Sequence, residues 1–196
     1  NPHLATVAQV ALLSIKNDIV SLKFKDLVSF FRTYKKLNMQ GEDVKKIKSI
    51  LKYIDKNFSI NDAQAVFTNR AMFISCFYLI SYLMLRADIK KIRVKEFFLD
   101  FCKRLSSKSQ DSILKDFQIS VVQGADSSTS IRRRHEILLD DLVKFDKNAA
   151  IFLNHETLEE EFRKIYTDKL RLYSGNHTTL NQKLIKLKCK KLKTVD

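Results

Sequence analysis

Residues 71–86, "AMFISCFYLISYLMLR", constrain the fold more than any other stretch of this chain. Between Ala71 and Leu85 the only polar groups besides the tyrosine hydroxyls are Ser75 and Ser81. A helix of that length rises about 22 Å, short of the ~30 Å hydrocarbon core of a bilayer. A helix that is apolar on every side, yet too short to cross a membrane, belongs at the buried centre of a bundle. The remaining sequence agrees with that reading. Three glycines and one proline in 196 residues leave few tight turns, and many-stranded sheets need them often. The expected fold is all-α: a single bundle of eight or nine helices around this segment.

Apolar periodicity places the other helices. One covers about residues 4–18, with Val7, Val10, Ala11, Ile15 and Ile19 on one side. Others are expected at about 25–37 and at 43–57, the latter with Val44, Ile47, Ile50, Leu51 and Ile54 inward. "SINDAQ" supplies cap residues before the central helix. "KKIRVKEFFLDFCKRL" turns Val94, Phe97, Phe98, Phe101 and Leu105 inward, and "DSILKDFQISVV" is a short helix. "QGADSSTS" is the most polar loop, and Ile131 to Phe145 follows it as a helix. Thr157 with Glu160, and Thr179 with Gln182, have capping-box spacing in the last part of the chain. No repeat is evident. The expected organisation is a bundle over 1–150 and a helical extension over 151–196, ending in a basic helix packed on the bundle. The first residues, Asn1-Pro2, lack an initiator methionine, which suggests a piece of a longer protein.

The formal net charge is +14. A charge of this size repels itself, so a polyanion partner is the first expectation, with nucleic acid ahead of an anionic membrane. The competing explanation is a solvated, lysine-rich surface that sets only solubility. Cys76, Cys102 and Cys189 are odd in number, widely spaced and in no pattern with the histidines. Neither a metal site nor a disulfide framework is expected, and no cofactor; a reducing cytoplasm fits these thiols, and no signal peptide is read.

Two helices carry the cationic candidates. In "SIRRRHEILLDDLVKF", Ile131, His135, Leu138, Leu139, Leu142 and Phe145 share a face at 100° per residue. Arg132 and Arg134 then flank the stripe, Arg133 points away, and all three sit in the helix's first turn. Cations are mildly unfavourable there unless an anion also meets the free N–H groups. Arg133 is expected to be the freest for an outside anion; the alternative is ion pairing with Glu136, Asp140 or neighbouring helices. His135 is expected to be a packed histidine. In the last helix Lys183, Lys186, Lys190 and Lys193 recur at spacings of three, four and three, with no acidic residue between Gly175 and Val195. Each like-charged pair costs about 0.2–0.5 kcal/mol in an isolated helix, which a phosphate backbone would relieve without base reading.

Recognisable catalytic patterns are missing. There is no glycine-rich phosphate loop, no GxSxG, no HExxH and no zinc spacing. Asp140-Asp141 reads as solubilising surface charge. A helical RNase with an arginine a few residues before a histidine on one helix is a weak alternative. Arg132 and Arg134 lie too close to His135, and His155 and His177 have no suitably placed arginine.

"FTNRAMFISCFYLISYL", followed about fifty residues later by "STSIRRRHEILLDDL", resembles the helical C-terminal half of Gmr-type restriction proteins, prokaryotic defence proteins with a ParB-like N-terminal domain. "LKFKDLVSFF" through "KKIKSILKYIDKNF" extends the resemblance to about residues 4–147. It implies a non-catalytic helical module that supports a separate ParB-like catalytic domain or partner chain and contacts nucleic acid, DNA rather than RNA. The motifs such families use for nucleotide chemistry, of the Asp-Gly-Gln-Gln-Arg kind, and for DNA cleavage are not in this chain. Asn69-Arg70 and Arg134-His135-Glu136 match the family-like segments. The resemblance gives Arg70, Arg134 and His135 structural or interdomain roles and leaves no catalytic residue.

Overall fold

The computed structural model describes residues 2–16, 18–34, 41–107 and 111–153, with side chains from Leu4 onward. All the described secondary structure is helical. The helices are α1 (Pro2–Lys16), α2 (Phe24–Thr33), α3 (Glu42–Asn57), α4 (Ile60–Val66), α5 (Arg70–Arg86), α6 (Val94–Ser106), α7 (Ser112–Val122) and α8 (Ser128–Phe145), with a 3-10 turn at Ile89–Lys91, and residues 147–153 are also helical. The chain divides into two units, Asn1–Ala150 and Ile151–Asp196. The first is described here; the expected capping boxes at Thr157 and Thr179 lie outside the described residues.

The apolar segment is the central helix. α5 packs against α1, α3, α8 and the 3-10 turn, and buries Met72, Ile74, Cys76, Phe77, Leu79, Ile80 and Leu83 together with Ser75 and Ser81. Its start is fixed by Asn69, whose side-chain oxygen accepts from the Met72 N–H at 2.9 Å. Ser59 and Asp62 form a capping box that starts α4, which meets α5 at 109°. No single described helix is long and apolar enough to cross a membrane.

Phenylalanines fill the space beside α5. Phe97, Phe98, Phe101 and Phe117 are all fully buried, and Phe101 meets Phe117 edge to face at 4.9 Å, joining α6 to α7. Leu105 is only half-buried, not inward as its spacing suggests. α1 departs further from its expected stripe. It touches α2, α3 and α5, so Ala8, Gln9, Val10, Leu12, Leu13 and Ser14 are buried while Val7 is exposed. A helix held on three sides buries a broad arc, and a single narrow stripe underestimates it.

Asp146 closes the unit, and no periodicity in the sequence marks it. Its buried carboxylate accepts from the backbone N–H groups of Arg93 and Asn148 at 2.9 and 2.8 Å. The Arg93 guanidinium reaches the Phe145 carbonyl at 3.2 Å and lies over the Phe145 ring. Burial pushes the Asp146 pKa up, but the backbone N–H donors of Arg93, Asn148 and Ala149 outweigh it and hold the carboxyl below its usual range. Asp146→Ala is expected to cost about 1–3 kcal/mol, because buried N–H groups lose their acceptor. The loss should appear as a lower urea midpoint at pH 7 and shrink as pH falls below about 4, where the wild-type carboxyl takes up a proton.

Candidate functional site

Helix α8 begins at Ser128, three residues before the position its apolar spacing suggests, because Ser127 caps it by accepting from Ser130 N–H at 3.1 Å. Gly124, at φ +59°, turns the chain out of α7 in the left-handed region just before that cap. The arginine run therefore sits in the second turn of α8, away from the free N–H groups at its start. A phosphate clamp built from both is excluded by this placement.

The three arginines have three different fates. Arg134 is 1 % exposed, not a flanking residue. The buried arc of α8 runs from Ile137 through Ile131, Leu138 and Leu142 to His135, and Arg134 lies inside it. Its Nε donates to Ser75 Oγ on α5 at 2.8 Å, and its two terminal nitrogens donate to the carbonyls of Ser120 at 2.5 Å and Ala125 at 2.9 Å. No carboxylate bonds to it among the described residues. The carbonyl of Ser120 belongs to the last turn of α7, where unpaired carbonyls favour a cation. Burial lowers the Arg134 pKa to about 10 and Asp126 opposes the shift, so the group stays charged at neutral pH.

Arg133, expected to be free, is not. It binds Asp116 of α7 at 2.7 Å and lies 3.9 Å from Glu136. Arg132 is exposed and forms no ion pair with any described residue. Arg70 binds Asp126 in the loop before α8 at 2.9 Å, and the Asp126 carbonyl accepts from Leu22 N–H at 2.8 Å. Asp141, taken from the sequence as solubilising charge, is gripped by Arg104, which also binds Asp100 at 2.7 Å. The arginines of this unit are thus mostly structural, as their planar, multi-donor heads suit them to be.

His135 packs between the edges of Tyr78 and Tyr82, with ring centroids 4.8 and 5.0 Å away. Its Nδ1 is buried without a hydrogen-bond partner among the described residues. Burial, reinforced by the nearby charges of Arg86 and Arg132, lowers its pKa to about 4, so it is neutral at pH 7. Cys76 and Cys102 are free thiols, and burial raises both pKa values, that of Cys102 to about 11. No group of three or more potential metal ligands occurs among the described residues.

The surface cations come from lysines, and one row was not singled out from the sequence. On α3, Lys45, Lys48, Lys52 and Lys56 are all exposed. Spacings of three, four and four put them within an arc of about 80° over about 16 Å of helix. Lys45 pairs with Glu42 at 2.8 Å; Lys48, Lys52 and Lys56 form no ion pair with described residues. The signal was the same spacing that drew attention to Lys183, Lys186, Lys190 and Lys193, which lie outside the described residues. Glu42, Asp43 and Asp55 masked it by lowering the net charge of α3. Arg133 is paired with Asp116, while Arg132 beside it forms no ion pair with described residues.

In comparisons with known proteins, no family model, no curated protein and no solved structure matches this chain.

Proposed function

We propose that this chain is a non-catalytic, nucleic-acid-binding helical module, the supporting part of a DNA-targeting defence protein of the Gmr-like kind that its sequence resembles. One observation carries the binding half of this reading: the exposed lysine row on α3. Aspartates 100, 116, 126, 141 and 146 are held by arginines, which removes them as competitors for the lysines. Three neighbouring ammonium groups with no ion pair among the described residues repel one another, and a phosphate backbone relieves that repulsion. Lysines on one helix face contact phosphates without reading bases, so binding should be strongly salt-dependent and weakly sequence-specific. The Gmr-like half rests on the resemblance, and its expected companion is a ParB-like domain in the same reading frame or a neighbouring one.

Labelled duplex DNA should be retarded at about 50 mM salt and released by about 200 mM. Replacing Lys48, Lys52 and Lys56 by Gln should weaken binding and flatten the plot of log K against log salt by about 2.7, the release expected for three phosphates. Absence of a shift at low salt removes the nucleic-acid reading and favours a protein-interaction module. An unchanged salt slope in the triple variant excludes α3 and moves the contact to Lys183, Lys186, Lys190, Lys193 or Arg132.

A further inference from the structure

A cleft of about 550 Å³ opens between α4, the start of α5, α6 and α7. Its size falls within the ~300–1,000 Å³ typical of small-molecule sites. Met72, Leu99, Leu105, Phe117 and Val121 make its walls apolar, and Val122 at its edge is 81 % exposed. The polar groups along it are largely committed to the protein itself. Asn69 caps α5, Ser106 Oγ donates to the Lys103 carbonyl, and Gln118 Nε2 donates to the Leu105 carbonyl. Lys103 is the sole charged side chain among the described lining residues, is exposed, and forms no ion pair with any of them. Its neighbour Arg104 takes both Asp100 and Asp141, so no carboxylate of that pair competes for the ammonium.

We propose that this cleft binds a small amphipathic carboxylate, its unbranched apolar chain lying along the partly exposed Leu99, Leu105 and Val121 and its headgroup at Lys103. The apolar walls supply affinity in proportion to chain length. The cation selects an anionic head over a neutral one. The cleft shares no residue with the α3 lysine row, so the two assignments stand or fall separately.

Calorimetric titration of the full chain with decanoate tests this. Saturable 1:1 binding in the micromolar range is expected. Octanoate should bind about fifteenfold more weakly, since each buried methylene contributes roughly a fourfold change. Decanol, with the same chain and no charge, should bind about fivefold more weakly than decanoate, a preference that Lys103→Gln abolishes. Ala65→Phe, on an exposed helix position, and Val121→Phe should each fill the cleft and weaken decanoate with helical content unchanged by circular dichroism. Decanoate should also slow alkylation of Cys102, which lines the cleft, as read by peptide mass. The proposal is overturned by absence of saturable binding up to about 1 mM, by equal affinity for octanoate and decanoate, by a charge preference that survives in Lys103→Gln, or by both filled variants binding normally.

Discussion

Arg134→Ala should lower the unfolding free energy of the helical unit by about 3–5 kcal/mol, from the cavity left by a large buried side chain together with the carbonyls that lose their donors. Arg134 ties α8 to α5, to the last turn of α7 and to the α7–α8 loop at once, through Ser75, Ser120 and Ala125. Its truncation strands the carbonyls of Ser120 and Ala125 and empties the volume of the largest fully buried side chain. Arg134→Met keeps most of that volume and removes the desolvated charge, so it should cost less, about 1–3 kcal/mol from the unpaired carbonyls. Arg134→Lys keeps the charge but cannot span three acceptors from one ammonium, and should fall between the two. Against a typical total of about 5–15 kcal/mol, the alanine variant should show a clear drop in its urea midpoint by far-ultraviolet circular dichroism. An alanine variant as stable as wild type would mean that the guanidinium is not held in this network.

The contrast between Arg134 and α5 shows what the sequence does and does not reveal. The central helix was legible because its evidence is local, an unbroken apolar run, although its cap is Asn69 and not a residue of "SINDAQ", which instead opens α4. The fate of the arginines was not, because their partners lie far away along the chain. Ser75 is fifty-nine residues from Arg134, and no periodicity links them. The hints were nonetheless present, since Ser75 is polar in an otherwise apolar helix and Arg134 lies about one turn from each of two apolar positions, Ile131 and Leu138. A helical wheel that counts every arginine as surface charge centres the stripe too near His135 and leaves Ile137 outside it. The α3 lysine row was legible by spacing but diluted by nearby acids. The cleft was not legible at all, for its volume belongs to four helices at once.

His135 should make the stability of this unit depend on pH between about 4 and 6.5. Its folded pKa is lowered to about 4 from an ordinary value of 6.5, first by burial and then by Arg86 and Arg132. In that window the unfolded chain binds a proton that the folded chain refuses, so stability rises with pH. The contribution is complete above pH 6.5 and is lost as pH falls toward 4, where it has removed roughly 3 kcal/mol at about 1.36 kcal/mol per pH unit. The groups packed around the ring do not mimic this signal. Burial raises the Tyr78 pKa from its ordinary value, which takes that phenol further from this window. Asp62 and Asp146, whose folded pKa values are depressed, act below about 4. His135→Phe retains the edge contacts with Tyr78 and Tyr82 and removes the unpartnered Nδ1. It should therefore be as stable as wild type or more so at pH 7, and nearly flat from pH 6.5 to 4. Urea midpoints measured across that range decide the matter, and a slope that persists in His135→Phe would assign it to another group. The same variant tests the helical RNase alternative. A ring that only packs can be exchanged for phenylalanine without loss of function, whereas a proton-transferring imidazole cannot. Undiminished nucleic-acid binding by a stable His135→Phe protein, with no RNase activity in wild type for the substitution to abolish, is the expected result.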